Sequence, residues 1–245
     1  MYKHIFDDTI LRSYDIRGIY NKTLTDNDAF MLGFFFGIIV RKKNPDKRHP
    51  LIIIGMDGRL SSPVLEEKLN EGLENSGCEI YRIGLGPTPM LYFASNYYKA
   101  DGAIQVTGSH NPKDYNGFKI VLNQNSFFGD DIKKLGHFAS KGFSKSYDGF
   151  SKSVTINSNY VDEIIKPLKN IEGQLHEKTI VWDCGNGASG HSVEMITSKI
   201  PGKHIVLYSE VNGSFPNHHP DPTDVSTLKI LVNKMKEVDA ELGIA

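Results

Sequence analysis

Leu51-Ile52-Ile53-Ile54 is a short, β-branched apolar run, and its surroundings constrain the fold more than any other feature of this chain. A run this brief suits a strand buried on both faces. A polar loop follows. Ser62-Pro63 then reads as an N-cap and N1 pair, with Glu66 and Glu67 in the first turn and Gly77 placed to close the helix. The alternation repeats in a strand from Cys78 to Ile83, a helix opened by Gly86-Pro87-Thr88-Pro89, and a strand from Gly102 to Val106. Upstream, Thr25 and Asp28 approximate a capping box before the apolar run Ala29 to Val40, and Arg41, Lys42 and Lys43 suit that helix's C-terminal end. Strand and helix alternating in this way predict βαβ units and a largely parallel sheet covered by helices.

The chain has 245 residues, between one and two domains' worth. From Ser140 to Ser158 it turns rich in Ser, Gly, Lys and Tyr with weak periodicity, so a first domain over 1–140, a link over 141–157 and a second domain over 158–245 are expected. The second part alternates again: helix from Tyr160 to Ile171, strand Thr179 to Trp182, helix after Gly190, strand His204 to Tyr208, helix Val225 to Met235. A strand begins within Asp239 to Ala245. The expected architecture is two α/β/α layered domains with mostly parallel mixed sheets, the second cut short.

Charge and cysteine content narrow the function classes. Twenty-eight basic against 29 acidic side chains give a net charge of -1, so no long-range basic field is offered to nucleic acid or an anionic membrane. Any anion must be held by local groups. Ala29 to Val40 is too short to span a bilayer, no signal peptide is visible at the N-terminus, and Cys78 and Cys184 show no CxxC spacing. A cytoplasmic setting is expected.

The densest chemistry lies in Gln105-Val106-Thr107-Gly108-Ser109-His110-Asn111-Pro112, continuing to Asn116-Gly117-Phe118-Lys119. A buried strand ends at Val106, and small polar residues place Ser109 on a tight loop at the strand's C-terminal edge, where open α/β sheets bind ligands. A serine hydroxyl needs a group that takes its proton or neutralises its charge, and Lys119 and His110 are candidates. Backbone N–H groups in the loop could cradle a phosphate. The same residue types also make ordinary turns, and pattern alone leaves both readings open.

Thr107 to Pro112 followed by Asn116 to Lys119 resembles the phosphoserine loop of the α-D-phosphohexomutases, in which Ala most often stands where this chain has Gly108. Tyr14-Asp15-Ile16-Arg17-Gly18 resembles the family's N-terminal arginine motif. Gly55-Met56-Asp57-Gly58-Arg59 and Gly86-Pro87-Thr88-Pro89 resemble its second and third loops, and Pro216-Asn217-His218-His219-Pro220-Asp221-Pro222 a segment of its second domain. The resemblance implies that Ser109 carries a phosphoryl group, passes it to a hexose phosphate, and takes back the other phosphoryl group of the resulting bisphosphate. It implies that Lys119 and Arg17 flank the loop, stabilise the equatorial oxygens and assist proton transfer, that His110 shapes the site, and that Thr107, Gly108 and Asn111 support it. For Arg17 a surface ion pair with Asp15 is the alternative, and Arg59 is expected to brace its own loop. The family binds Mg²⁺ through three aspartates of an Asp-Gly-Asp-Gly-Asp-Arg loop that follows a Gly-Ile-Ala-like strand. This chain reaches Gly243-Ile244-Ala245, leaving Ser109, through its phosphate, as the one metal ligand expected from it. On this reading the chain alone is inactive, a separately encoded C-terminal half is a candidate partner, and the residues that would choose among mannose, glucose and glucosamine phosphates are absent.

Two other readings compete. The chain could be an inactive remnant or binding module. Alternatively, Gly185-Asn186-Gly187-Ala188-Ser189-Gly190 after Asp183 fits G-x-G-x-x-G, with Glu210 twenty residues on, and suggests a dinucleotide. Asp183 would repel a pyrophosphate there, which favours a structural turn. His218-His219 lacks the i, i+4 spacing of a helical metal pair and reads as a hinge-like loop. Asp130 and Asp131 read as first-turn acids that complement a helix dipole.

Overall fold

The computed structural model describes residues 1–245, side chains included except at positions 169 and 172. The chain divides into two compact units, Met1–Ser109 with Asp114–Val154, and Thr155–Ala245 with His110–Lys113.

The first unit contains β1 (Ile16–Ile19), α1 (Asp26–Lys43), β2 (Leu51–Met56), α2 (Ser62–Asn75), β3 (Glu79–Leu85), α3 (Thr88–Tyr97), β4 (Gly102–Val106), β5 (Tyr115–Leu122), β6 (Asn125–Phe127), α4 (Asp130–Lys141) and β7 (Phe150–Ser153). Its sheet runs β1-β5-β4-β2-β3-β7, with β6 paired to β5. The β2, β3, β4 and β7 pairings are parallel, whereas β5 runs antiparallel to β4, β1 and β6. The β2-to-β3 and β3-to-β4 crossovers step in opposite directions, so right-handed connections put α2 and α3 on opposite faces. Side-chain alternation agrees. Ile52 and Ile54 join the core containing Phe34, Phe35, Phe36 and Leu69, while Ile53 and its in-register neighbour Ala103 are buried outside it.

Helix α1 begins where predicted. Thr25 Oγ1 accepts from the Asp28 N–H at 3.3 Å, and the Thr25 N–H donates to Asp28 Oδ2 at 2.7 Å. Its apolar residues are buried almost all round, because α2, α4 and the sheet each cover part of it. Glycines permit the contact with α2: a Cβ on Gly72 would lie 2.0 Å from the Phe30 carbonyl oxygen, and one on Gly33 2.3 Å from that of Leu69.

Several local expectations change. Ser62 does not cap α2; the helix follows Ser61, and neither hydroxyl bonds a first-turn N–H. Glu66 is buried against Arg82 of β3, whose Nε donates to it at 2.9 Å. Within the segment expected as a link, Phe150–Ser153 adds a parallel edge strand to β3, and the first unit continues to Val154. A strand reading Phe-Ser-Lys-Ser has little apolar periodicity, because edge positions face water.

The second unit contains α5 (Asn157–Ile165), a 3₁₀ turn (Lys166–Ile171), α6 (Glu172–Leu175), β8 (Thr179–Asp183), α7 (Gly190–Thr197), β9 (Lys203–Leu207), α8 (Lys229–Val238) and β10 (Leu242–Ile244). Its sheet is β10-β8-β9, all parallel. Helix α5 stops before the expected Ile171 because Pro167 removes an N–H and crowds the preceding turn. Helix α8 starts later than expected. Asp221 and Asp224 instead accept the N–H groups of Thr223 and Ser226 at 3.0 and 2.8 Å, turns that compete with helix. Among the described residues no helix is long and apolar enough to cross a membrane. Cys78 and Cys184 are free and buried, and burial pushes both thiols up to about 11.

Candidate active site

The parallel strands β2, β3 and β4 end at one edge of the first sheet, and the loops that follow them meet there. The Thr107 N–H donates to the Gly117 carbonyl at 2.9 Å and closes the neck of the loop between β4 and β5. Within it, Thr107 Oγ1 accepts the Ser109 N–H at 2.9 Å. Ser109 is half-buried and adopts a left-handed backbone with φ of +51°. A non-glycine residue in that region carries a cost of about 1–2 kcal/mol, so neighbouring bonds must hold it.

Two buried guanidinium groups supply them. Arg17 is 6% exposed; its Nη1 donates to the Gly108 carbonyl at 2.8 Å and its Nη2 pairs with Asp15. The ion pair foreseen as a surface alternative therefore exists, but buried and beside the loop. Arg59 is 1% exposed and donates from Nη2 to the Ser109 carbonyl at 2.8 Å and from Nη1 to the Tyr115 carbonyl at 3.0 Å. It braces the serine loop as well as its own, which the sequence reading missed. Burial pulls the Arg59 guanidinium below its usual pKa; Asp57 opposes that shift, and the charge of Arg17 adds to it.

Asp57 organises both loops. Its Oδ2 accepts the Gly108 N–H at 3.0 Å and Arg59 Nε at 3.2 Å, while its Oδ1 accepts the Ser62 hydroxyl at 2.6 Å and the Arg59 N–H at 3.1 Å. Ser62 is thus diverted from capping. Fully buried Asn116 donates to the Ser61 and Ser62 hydroxyls, each at 2.9 Å. Alanine in place of Gly108 would require the end of the Arg59 side chain to shift, since a Cβ would lie 2.3 Å from both its Cζ and its Nε.

Lys119 is half-buried opposite Gln105, and Arg17 pairs with Gly117, so the β-register puts Arg17 and Lys119 on one sheet face. His110 is exposed and makes no hydrogen bond among the described residues; Asn111 is half-buried. Arg17 Nε is buried without a hydrogen-bond partner, so this side chain keeps a donor unspent. The third loop is tied in by Gln105 Nε2, which donates to the Gly86 carbonyl at 2.9 Å.

These loops are those of a known enzyme family. The sequence models for phosphoglucomutase/phosphomannomutase α/β/α domain I and domain II match residues 8–141 and 158–245. The chain belongs to the phosphoglucomutase/phosphomannomutase family. It is 39% identical over 241 residues to a phosphomannomutase/phosphoglucomutase of Pseudomonas syringae pv. tomato, covering 98% of this chain and 50% of that protein. It is 38% identical over 243 residues to a phosphoglucomutase of Neisseria meningitidis serogroup B, covering 96% and 50%. A solved phosphoglucomutase/phosphomannomutase family protein from Burkholderia thailandensis superposes with a TM-score of 0.85 at 33% identity, covering 98% of this chain and 52% of that one. The chain therefore spans about half the length of the curated relatives it matches.

The glycine-rich turn of this phosphoglucomutase/phosphomannomutase chain's second unit is closed on itself. The N–H groups of Gly185, Asn186 and Gly187 go to Asp183 Oδ1, the Tyr208 carbonyl and the Cys184 carbonyl at 2.9, 3.0 and 2.8 Å. A dinucleotide pyrophosphate would find those donors spent. His218 docks on the same turn, its Nε2 lying 3.1 Å from both Asp183 oxygens, and Asn217 Nδ2 donates to Asn186 Oδ1 at 2.7 Å. Among the described residues no three His, Cys, Asp or Glu side chains come together to hold a metal. A carboxylate cage for Mg²⁺ does not fit these residues.

Proposed function

We propose that Ser109 is the phosphoryl carrier of a phosphohexomutase reaction, and that this chain contributes the phosphoserine-bearing half. The observation that carries the reading is the left-handed Ser109, half-open at a sheet edge, with its loop clasped by the buried guanidinium groups of Arg17 and Arg59. A hydroxyl of the hexose monophosphate attacks the phosphorus of phosphoserine, the P–O bond to Ser109 breaks, and a hexose bisphosphate forms. The bisphosphate turns, and the Ser109 hydroxyl takes its other phosphoryl group. Arg17 and Lys119, on one face, supply fixed positive charge to the equatorial oxygens and help move the proton, and preorganised charge of this kind is the main source of phosphoryl-transfer catalysis. His110 and Asn111 shape the loop tip.

Mg²⁺ belongs to this reading as the family's cofactor, with the Ser109 phosphate as its ligand from this chain. The substrates are hexose phosphates and bisphosphates. A C-terminal half provides the remaining contacts, and the reaction takes place in the cytoplasm, where the free thiols Cys78 and Cys184 persist.

The test is transfer of label from hexose 1,6-bisphosphate, with a C-terminal half from a relative supplied in trans. Label on Ser109 that disappears in Ser109→Ala is the expected result. Label on another residue, or none with the complement bound, overturns the reading.

A further inference from the structure

We infer that Arg59 is the positioning residue of the nucleophile loop, acting together with Asp57, and that Gly108 exists to admit its guanidinium. The inference rests on the phosphoserine reading for its catalytic meaning, but its geometry stands independently. The loop leaves the sheet after Thr107 and rejoins it at Tyr115, and Arg59 holds both limbs, through the carbonyls of Ser109 and Tyr115 at 2.8 and 3.0 Å. Asp57 takes the N–H of Gly108, the residue before Ser109, at 3.0 Å. One acid–base pair thus fixes the peptide group that precedes Gly108, the one that follows Ser109 and the place where the loop ends, while Arg17 and Thr107 Oγ1 hold the peptide between Gly108 and Ser109. A left-handed serine with φ of +51° has an accessible alternative in the ordinary right-handed region, so without these bonds the hydroxyl would lose its aim.

Space confirms the coupling. The guanidinium lies against the Gly108 backbone so closely that a Cβ there would meet Cζ and Nε at 2.3 Å. An arginine end can often swing aside, but this one is 1% exposed and tied to Asp57, Ser109 and Tyr115. A methyl at position 108 therefore requires the arginine end to shift and to loosen at least one of these bonds. The arginine and the glycine form one device, encoded 49 residues apart.

A double-mutant cycle tests this with Arg59→Met, Gly108→Ala and the double variant, read by peptide-resolved amide exchange over residues 107–116. Each single variant is expected to speed exchange of that segment about tenfold, from one or two lost hydrogen bonds, with little change in β2 and α1. The double variant is expected to match Arg59→Met alone, because a methionine end, tied by no hydrogen bond, can turn away from the added Cβ. Additive effects, or an unchanged segment in Arg59→Met, overturn the inference. Should Arg59→Met fail to fold, Gly108→Ala carries the test alone: unchanged exchange at 107–116 overturns the inference. In the complemented enzyme, Arg59→Met is expected to lower the Ser109 labelling rate at saturating bisphosphate at least about tenfold, while half-saturation moves less than about threefold. The reverse split overturns the positioning role. Absence of label in the unmutated protein refutes the phosphoserine reading, and the exchange cycle still decides the role of Arg59.

Discussion

Asp57→Asn tests how much of the site's stability rests on one carboxylate. The carboxylate accepts four hydrogen bonds, two at each oxygen: the Gly108 N–H and Arg59 Nε at Oδ2, and the Ser62 hydroxyl and Arg59 N–H at Oδ1. Asparagine keeps the shape but offers only one acceptor atom. Whichever way its amide turns, an NH₂ group confronts two donors. The second loss is charge. Arg59, 1% exposed, would keep its positive charge without its nearest counterion. Removing one partner of a buried ion pair costs about 3–5 kcal/mol. The Asp57 side chain is 15% exposed, so water offsets part of this and the expected loss is about 3 kcal/mol.

With a urea slope of about 2 kcal/mol per molar, that loss lowers the midpoint by roughly 1.5 M. Far-ultraviolet circular dichroism follows the transition. Amide exchange of β2 and β4 peptides assigns it to the first unit, since Trp182, the single tryptophan, reports on the second. A midpoint shift under about 0.5 M would refute the argument, showing that solvent or another group already neutralises Arg59.

Packing and burial set further expectations. Gly72→Ala is expected to destabilise by about 2 kcal/mol despite the better helix propensity of alanine, because its Cβ would lie 2.0 Å from the Phe30 carbonyl oxygen. Gly173→Ala, with nothing within 4 Å of its Cβ, is expected to gain up to about 1 kcal/mol, and shifts of the same sign in both denaturation curves would sink the comparison. At pH 8 iodoacetamide is expected to label Cys78 and Cys184 only after urea unfolding, since burial holds both thiols at about 11. Each ionises more readily in the unfolded chain, so their contribution to stability is present below about 9 and is lost as pH rises toward 11; rapid native labelling read by mass spectrometry would contradict it.

What the sequence made legible was local or periodic. The capping box of Thr25 and Asp28 closes within four residues, and Leu51 to Ile54 has the composition of a doubly covered strand, so short-range rules found both. Gly77, with φ of +82°, ends α2 through its N–H to the Glu74 carbonyl at 2.8 Å, as a glycine after a helix should. Ser62 misled because its hydroxyl had two uses. Beside Pro63 it reads as a cap, but Asp57 lies within reach and a carboxylate is the stronger acceptor. Strand β7 was missed because an edge strand needs no apolar face, and Pro167 was passed over inside an otherwise helical pattern.

The site divides along the same line. Ser109, Arg17 and Lys119 stand in motifs whose spacing is visible in the chain, whereas the work of Asp57 and Arg59 is done on peptide groups about fifty positions away and leaves no local pattern. Gly108 was a trace of it, since a glycine in a tight loop can mark a close approach as readily as a turn. At a net charge of -1, the proposed phosphoryl group depends on local charges. Arg17 and Arg59 are matched by Asp15 and Asp57, so the loop is locally balanced before any phosphate arrives. In the proposed reaction the incoming negative charge must then meet donors that remain unspent, and Arg17 Nε, buried and unpartnered, is one. The two guanidinium groups are thus spent differently: Arg59 donates to the Ser109 and Tyr115 carbonyls, whereas Arg17 donates to the Gly108 carbonyl and keeps Nε without a partner.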